Sequence, residues 1–394
     1  MRIYDKAHDK VQNIRKTFNQ PKDLIPWDEV KRILVIKLRH HGDVLLTTPL
    51  LTALKQHVPH AEIDALVYAD TQPMLFGNPN LTRIHAIDKK WKKHGFLGRM
   101  QRELKVFGGL RQRQFDLIIH LTENNRGMWL ARTLGPRWAV TYKGGHVNSL
   151  WKRSFTHFVP QPIGPAGARR HTVEKHLDVA RRLGIQPAED RRLQMVPGDR
   201  ATDVIDTALA AAQFERGAFI HIHPASRWFF KCWSVENNAL LLDQLFSRGE
   251  RIALTAAPDS KEAAFIDAIL AQLNTPRHIL EKNLLNLSGQ LSLREMAALT
   301  ARAKVFIGVD SAPMHIAAAM QTPAVVLFGP SGDLEWGPWQ TPHRIIMSQA
   351  YPCRPCGIDG CGGGKVSECL MALPVASVLA AVDDLCMSIN NERA

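Results

Sequence analysis

The sequence predicts an α/β protein built from two Rossmann-like domains that face each other across a cleft. Three observations lead there. Short runs rich in Ile, Leu and Val alternate with segments of helical spacing, the βαβα order that makes an open parallel sheet. That alternation runs once, is interrupted after Gly184 by a polar stretch with two prolines, and then starts again. The length, 394 residues, exceeds one ordinary core and suits two domains of the usual ~100–200 residues.

In the first half, residues 1–185, "RILVIKL" (32–38), "IDALVYA" (63–69), "DLIIHLT" (116–122) and "WAVTY" (138–142) are predicted strands. All but the last are near-continuous apolar runs, as a sheet covered on both faces requires. "VLLTTPLLTALKQHV" and "MWLARTLG" between them have helical spacing. "TVEKHLDVARRLG" is a helix ending at Gly184, a residue suited to a left-handed cap. "IQPAEDRRLQMVPGDRATD" follows, and residues 186–216 are expected to be a linker region. In the second half, residues 217–394, "AFIHIHP" (218–224), "RIALTAAP" (251–258), "KVFIGVD" (304–310) and "AVVLFGP" (324–330) are predicted strands. Each ends in a Pro, Gly or Asp loop and leads into helical spacing. The final helix, "PVASVLAAVDDLCMSI", falls in the second half by position, and its packing on the first is left open.

Composition excludes several classes. With 45% hydrophobic and 22% charged residues the chain is of soluble globular type. No apolar stretch reaches the ~18 residues of a membrane span; the longest candidate, "MALPVASVLAAV", is broken by Pro374 and stops at Asp383. The opening "MRIYDKAHDKVQNIRK" lacks an apolar signal core, so a cytosolic location is expected. Lys plus Arg number 50 against 37 Asp plus Glu, a formal +13 that favours an anionic partner: nucleic acid, phospholipid headgroups or a phosphorylated substrate. The basic residues fall in short clusters with no zinc-finger, RNP or recognition-helix pattern, so nucleic acid is not expected. There is also no Walker A, G-x-S-x-G or H-E-x-x-H motif. Phosphate binding must therefore come from helix starts.

Three segments are placed to carry chemistry. "RHHGDVLLTTP" (39–49) follows the first strand, and the turn after that strand lies at the crevice of a doubly wound sheet. Gly42 and Asp43 should thus stand beside a substrate; for Asp43, helix N-cap and catalytic base both remain open. "GVDSAPMHIAAA" (308–319) puts Asp310 at a strand end and Pro313 in the first turn of a helix. The amides of Ser311 and Ala312 at that start offer a ready site for a diphosphate, with His315 in reach of the same phosphates; an ordinary capped helix is the alternative. "HPASRWFFKCW" (223–233) offers a loop with Ala225 and Ser226, then Lys231 among Phe229, Phe230, Cys232 and Trp233. A partly desolvated lysine gains more from a phosphate than an exposed one does; otherwise its stem merely covers apolar surface. Cys353, Cys356, Cys361 and Cys369 form a fourth segment, "YPCRPCGIDGCGGGKVSEC". The first pair has zinc-knuckle spacing, but the other gaps fit no standard site and no His accompanies them. A reduced loop without metal is the expectation.

Together, "RHHGDVLLTTP", "HPASRWFFKCW" and "GVDSAPMHIAAA" with the following "LFGPSGD" resemble the ADP-heptose:lipopolysaccharide heptosyltransferases, glycosyltransferase family nine. The resemblance runs from about Arg32 to about Asp384. It implies a GT-B fold and an inverting, metal-independent transfer from ADP-L-glycero-β-D-manno-heptose, with no cofactor. Asp43 matches the family's general base, Lys231 its diphosphate lysine, and Asp310, Ser311, Ala312 and His315 its donor loop. Ala225 and Ser226 fall where the family has threonines on the diphosphate, so one hydroxyl is missing. Where the family carries an adenosine-contacting glutamate, this chain reads "AAPDSKE", with Asp259 or Ser260 nearest. The implied partners are the phosphorylated lipopolysaccharide inner core and the inner-leaflet membrane surface, which the enzyme would meet from the cytoplasmic side. His40, His41, Lys152, Arg153, Arg169 and Arg170 are the expected acceptor contacts, and Lys89, Lys90, Lys92 and Lys93 add to the basic surface. Another family-nine sugar transferase, or a binder without catalysis, is the alternative.

Overall fold

The computed structural model describes residues 24–122, 124–143, 149–160 and 169–393. The charged opening segment and the side chain of Lys92 lie outside the described residues. One sheet holds Arg32–Ile36 (β1), Glu62–Tyr68 (β2), Arg83–Ile87 (β3), Leu117–His120 (β4), Trp138–Tyr142 (β5) and His157–Val159 (β6), in the order β3-β2-β1-β4-β5-β6. The other holds Phe219–His223 (β7), Arg251–Leu254 (β8), Leu284–Asn286 (β9), Val305–Val309 (β10), Ala324–Leu327 (β11) and His343–Ile346 (β12), in the order β12-β11-β10-β7-β8-β9. Every strand pair is parallel. Both orders are doubly wound. The winding reverses between β1 and β4 in one sheet and between β7 and β10 in the other, which opens a crevice at the strands' carboxyl ends.

All eight expected strands form. The four that sequence patterning did not announce, β3, β6, β9 and β12, are the edges of the two sheets. An edge strand is covered on fewer sides, so "RIHAI" and "HRII" remain half-buried and lack a continuous apolar run. Central β1 shows the opposite case. Ile33 and Val35 enter one cluster with Leu45, Leu54 and Leu177, while Leu34 and Ile36 enter another with Leu110, Ile118 and Trp151. Alternate side chains thus serve both faces, each fully buried one contributing about 1.5–3 kcal/mol.

The two halves share an apolar seam. Met296, Ala297, Ile316 and Ala318 of the second half join the cluster of Val44, Leu45 and Leu46 in the first. The expected linker region is anchored to both halves. Leu193 and Met195 are buried on the first half, and Gln194 is tied there by its amide to Thr48 Oγ1 (3.0 Å) and by its side chain to Asn80 (2.8 Å). Within the same range, Asp199–Ala211 is a helix that buries Ile205 and Leu209 against Phe219 and Leu299 of the second half. The final helix, Val375–Arg393, also packs on the second half, through Val378, Leu379, Val382 and Leu385 against Leu242 and Leu245. No helix among the described residues is long and apolar enough to cross a membrane.

Under the second sheet lies a buried polar relay. Thr300 donates its hydroxyl to Met296 O (2.7 Å), so it accepts from His221 Nδ1 (3.0 Å), and His221 Nε2 is left to accept from Thr255 (2.7 Å). Burial pushes His221 down to about 3 from 6.5. Between those values the unfolded chain takes up a proton that the folded chain refuses, so stability falls as pH drops below 6.5 toward about 3. The urea midpoint should decrease between pH 7 and pH 5, and His221→Gln should flatten that slope; equal slopes in both proteins would contradict this account.

Candidate active site

The first crevice is built outward from β1. Leu38 N donates to Thr122 Oγ1 (3.0 Å), pinning the strand's end to the residues after β4. The chain then turns into a short helix, His41–Leu45, whose N-cap is His40 in extended conformation. Asp43 is therefore not the cap. It sits in the first helical turn, its side chain 15% exposed, with Oδ1 3.6 Å from the ammonium of Lys37.

Lys37 is a site residue that sequence reasoning missed. It is buried, yet its Nζ donates to Leu121 O (3.3 Å) and stands 3.4 Å from His176 Nε2. His176 is neutral, since burial, reinforced by the Lys37 charge, drives its pKa well below 6.5. Its Nε2 must then accept from the ammonium. Nδ1 carries the hydrogen and donates to Tyr142 Oη (2.7 Å), which donates onward to Lys175 O (3.2 Å). The only warning in the sequence was a lysine inside the apolar run "RILVIKL".

The second crevice gathers the residues expected on the donor side. Past β7, Ala225 is fully buried, and Ser226 Oγ accepts from Trp228 N (3.3 Å). A single turn, Phe229–Lys231, swings the lysine to the end of β10, where Nζ donates to Asp310 Oδ2 (2.6 Å). Ser311 caps the helix Ala312–Ala319 without using its side chain. Ser311 Oγ and His315 Nδ1 are both buried with no hydrogen-bond partner among the described residues, an arrangement a bound anion or hydroxyl would complete. Burial holds His315 down at about 4, against the raising effect of the Asp310 and Asp43 carboxylates, so the ring is neutral at pH 7. Its ring packs on Gly42: a Cβ built there would lie 2.6 Å from His315 Cδ2. His40 likewise meets Trp228 edge-on, ring centroids 6.4 Å apart. One crevice carries a carboxylate, the other an ammonium and a helix start, and the two adjoin.

Residues 103–366 match the family model of glycosyltransferase family 9 (heptosyltransferase). The chain belongs to glycosyltransferase family 9. It is 35% identical over 358 residues to lipopolysaccharide heptosyltransferase 3 of Escherichia coli K12, covering 88% of this chain and 96% of that one. Among solved structures, the family 9 glycosyltransferase from Veillonella parvula has a TM-score of 0.77 at 21% identity, covering 93% of this chain and 99% of that one. The E. coli heptosyltransferase WaaC with ADP has a TM-score of 0.68 at 18% identity, covering 90% and 99%. These likenesses establish the GT-B fold, and membership makes the protein a glycosyltransferase.

Not every expected contact gathers at this family 9 site. Arg169 spans the two halves, with Nε 3.2 Å from Glu335 and Nη2 3.2 Å from Asp333. Arg170, just before the helix Thr172–Arg182, is paired with Asp178 (2.6 Å) and Glu174 (3.6 Å) of that helix. His41 Nε2 lies 2.9 Å from Asp70 O. Lys152 and Arg153 are exposed, at and just after the short helix Ser149–Lys152. Asp259 is spent as an N-cap, accepting from Lys261 N (3.0 Å), while Glu262 folds back to accept from Ala257 N (2.8 Å). The four cysteines assemble no cage: no three His, Cys, Asp or Glu groups gather around a metal position among the described residues. Cys353 and Cys356 are exposed and Cys369 is buried, its thiol pushed up by that burial. Their segment instead braces the turn after β11, through Arg354 Nε to Gly329 O (2.6 Å) and Gly357 N to Pro330 O (2.9 Å).

Gly42→Ala should drive a methyl group into the His315 ring and lower unfolding stability by about 1–3 kcal/mol. His315→Ala makes room for that methyl, so the double variant should lose clearly less than the two single losses added together. Strict additivity in denaturant titrations would mean the pair does not touch.

Proposed function

We propose that this protein transfers L-glycero-D-manno-heptose from ADP-L-glycero-β-D-manno-heptose to an inner-core heptose of lipopolysaccharide, adding the third heptose of the core. The observation that carries the reading is the meeting of two switch-point crevices at Gly42 and His315, with Asp43 on one side and Lys231, Asp310 and Ser311 on the other. Likeness to lipopolysaccharide heptosyltransferase 3 along 88% of the chain supports the choice of sugar and acceptor. An ADP-bound relative of the same fold supports the nucleotide.

The acceptor hydroxyl attacks the anomeric carbon from the face opposite the diphosphate. Asp43 takes the hydroxyl's proton as the new C–O bond forms, and the lysine beneath fixes the carboxylate's position. The bond from the anomeric carbon to the diphosphate oxygen breaks, its electron pair leaving with ADP. Lys231 and the amides of Ser311 and Ala312 meet that negative charge, with Asp310 holding the ammonium in place and reaching sugar hydroxyls. Ser311 Oγ and the neutral His315 supply uncharged hydrogen bonds to the diphosphate. Ala225 and Ser226 contribute mainly backbone at the end of β7. In this reading the protein's own cations serve the leaving group and no metal cofactor takes part. Lys152 and Arg153 are the exposed cations left to contact acceptor phosphates, and His40 and His41 border Asp43 on the acceptor side. The enzyme would work at the cytoplasmic face of the inner membrane.

Purified protein given ADP-heptose and graded core-truncated acceptors should add one heptose mass to the acceptor that lacks only the third. Asp43→Asn should cut transfer about 10²–10⁴-fold with ADP affinity nearly intact. Lys231→Ala should weaken ADP binding and turnover together. Transfer at the wild-type rate by Asp43→Asn, or none by wild type on any acceptor, would refute the assignment.

A further inference from the structure

The outer layer of the first half has a surface that this chemistry does not use. The helix Gly95–Gln112 buries Leu110, yet Leu97, Met100 and Leu104 are 73%, 44% and 59% exposed. Their spacing of three and four residues puts them on one face. Across a groove of about 630 Å³, which Met100 and Leu104 help to line, stands Trp129, half exposed on the helix Asn125–Leu134. Large apolar side chains grouped in this way mark a surface that meets something.

The surroundings specify what. Residues 88–112 contain eight Lys or Arg and two acids. Both acids are occupied: Asp88 accepts from Lys90 N, and Glu103 lies 2.9 Å from Arg99 and from Arg126. Lys93, Arg102 and Lys105 are exposed. An apolar stripe rimmed by Lys and Arg complements an anionic bilayer, whose headgroups take the cations and whose acyl boundary takes the leucines. Its position fits as well. β3 ends at Ile87 on the carboxyl edge of the first sheet, the edge from which Asp43 projects, and the helix begins soon after.

We propose that the Leu97–Met100–Leu104 face, with Trp129 and its basic rim, docks on an anionic phospholipid bilayer and holds the cleft mouth beside it. The benefit to a lipid-anchored acceptor rests on the functional reading above, whereas the docking itself does not. Full-length protein should co-sediment with phosphatidylcholine vesicles containing phosphatidylglycerol and much less with phosphatidylcholine alone. Each Lys→Gln change on the rim should cost about fivefold in partitioning. The triple variant Leu97→Ser, Met100→Ser, Leu104→Ser should bind the anionic vesicles at least tenfold more weakly, with its melting temperature and its transfer to a delipidated acceptor unchanged. The proposal falls if wild type ignores anionic vesicles, or if the triple variant binds them as wild type does. It falls too if the face proves to join two copies of the chain, so that the variant splits a dimer with vesicle binding intact. Vesicle binding that follows these expectations without heptose transfer would support the docking and sink the transferase reading.

Discussion

The cleft depends on one close approach, the His315 ring lying on the backbone of Gly42. Each parallel sheet opens a crevice of its own, but a crevice alone holds only one reactant. Because position 42 has no side chain, the helix Ala312–Ala319 can press against the short helix that carries Asp43 and bring the crevices edge to edge. Ile316 and Ala318, on the same helix, continue the contact into the apolar cluster around Leu45. Polar chemistry at the rim thus stands on a dry floor, where charges are less screened than in water.

Magnitudes separate the cations that matter from those that do not. An exposed ion pair such as Arg277 with Glu281 contributes about 0–1 kcal/mol, and a net charge of +13 says little about any one residue. Lys231 and Lys37 differ in being sheltered. At an effective dielectric near 20, two unit charges about 4 Å apart interact by ~4 kcal/mol, several times what an exposed pair contributes. The two lysines are spaced apart by the fold, one beneath the carboxylate of Asp43 and one bound to the carboxylate of Asp310. Neutral His176 adds hydrogen bonds without adding charge, and neutral His315 keeps a buried Nδ1 with no partner among the described residues.

Much of this was legible in the chain, and the illegible parts share causes. Apolar runs revealed the eight interior strands because a strand covered on both faces cannot be polar, whereas the edge strands carry no such demand. The loops after β1, β7 and β10 were legible because turn residues at strand ends mark the crevice of a doubly wound sheet. What Asp43 does locally was not, since cap and first-turn positions differ by a few residues and either accepts an aspartate. The partners of Arg169 and Arg170 could not be read either: Glu335 is remote in sequence, and Asp178 lies two turns along a helix whose rotation only packing fixes. At residues 186–216, expected as a polar linker region, the anchoring by Leu193, Met195, Ile205 and Leu209 was not legible, because isolated apolar residues in a polar stretch set no period.

With the final helix packed on the second half, the chain joins the lobes between Met195 and Asp199, where Gly198 adopts a positive φ of 77°. Synthesis therefore delivers the lobes in succession, and domains generally fold as units from the amino terminus. The nascent first lobe completes its sheet while the cover for Val44, Leu45 and Leu46 has yet to leave the ribosome. Until Ile316 and Ala318 emerge, that apolar floor is without part of its cover.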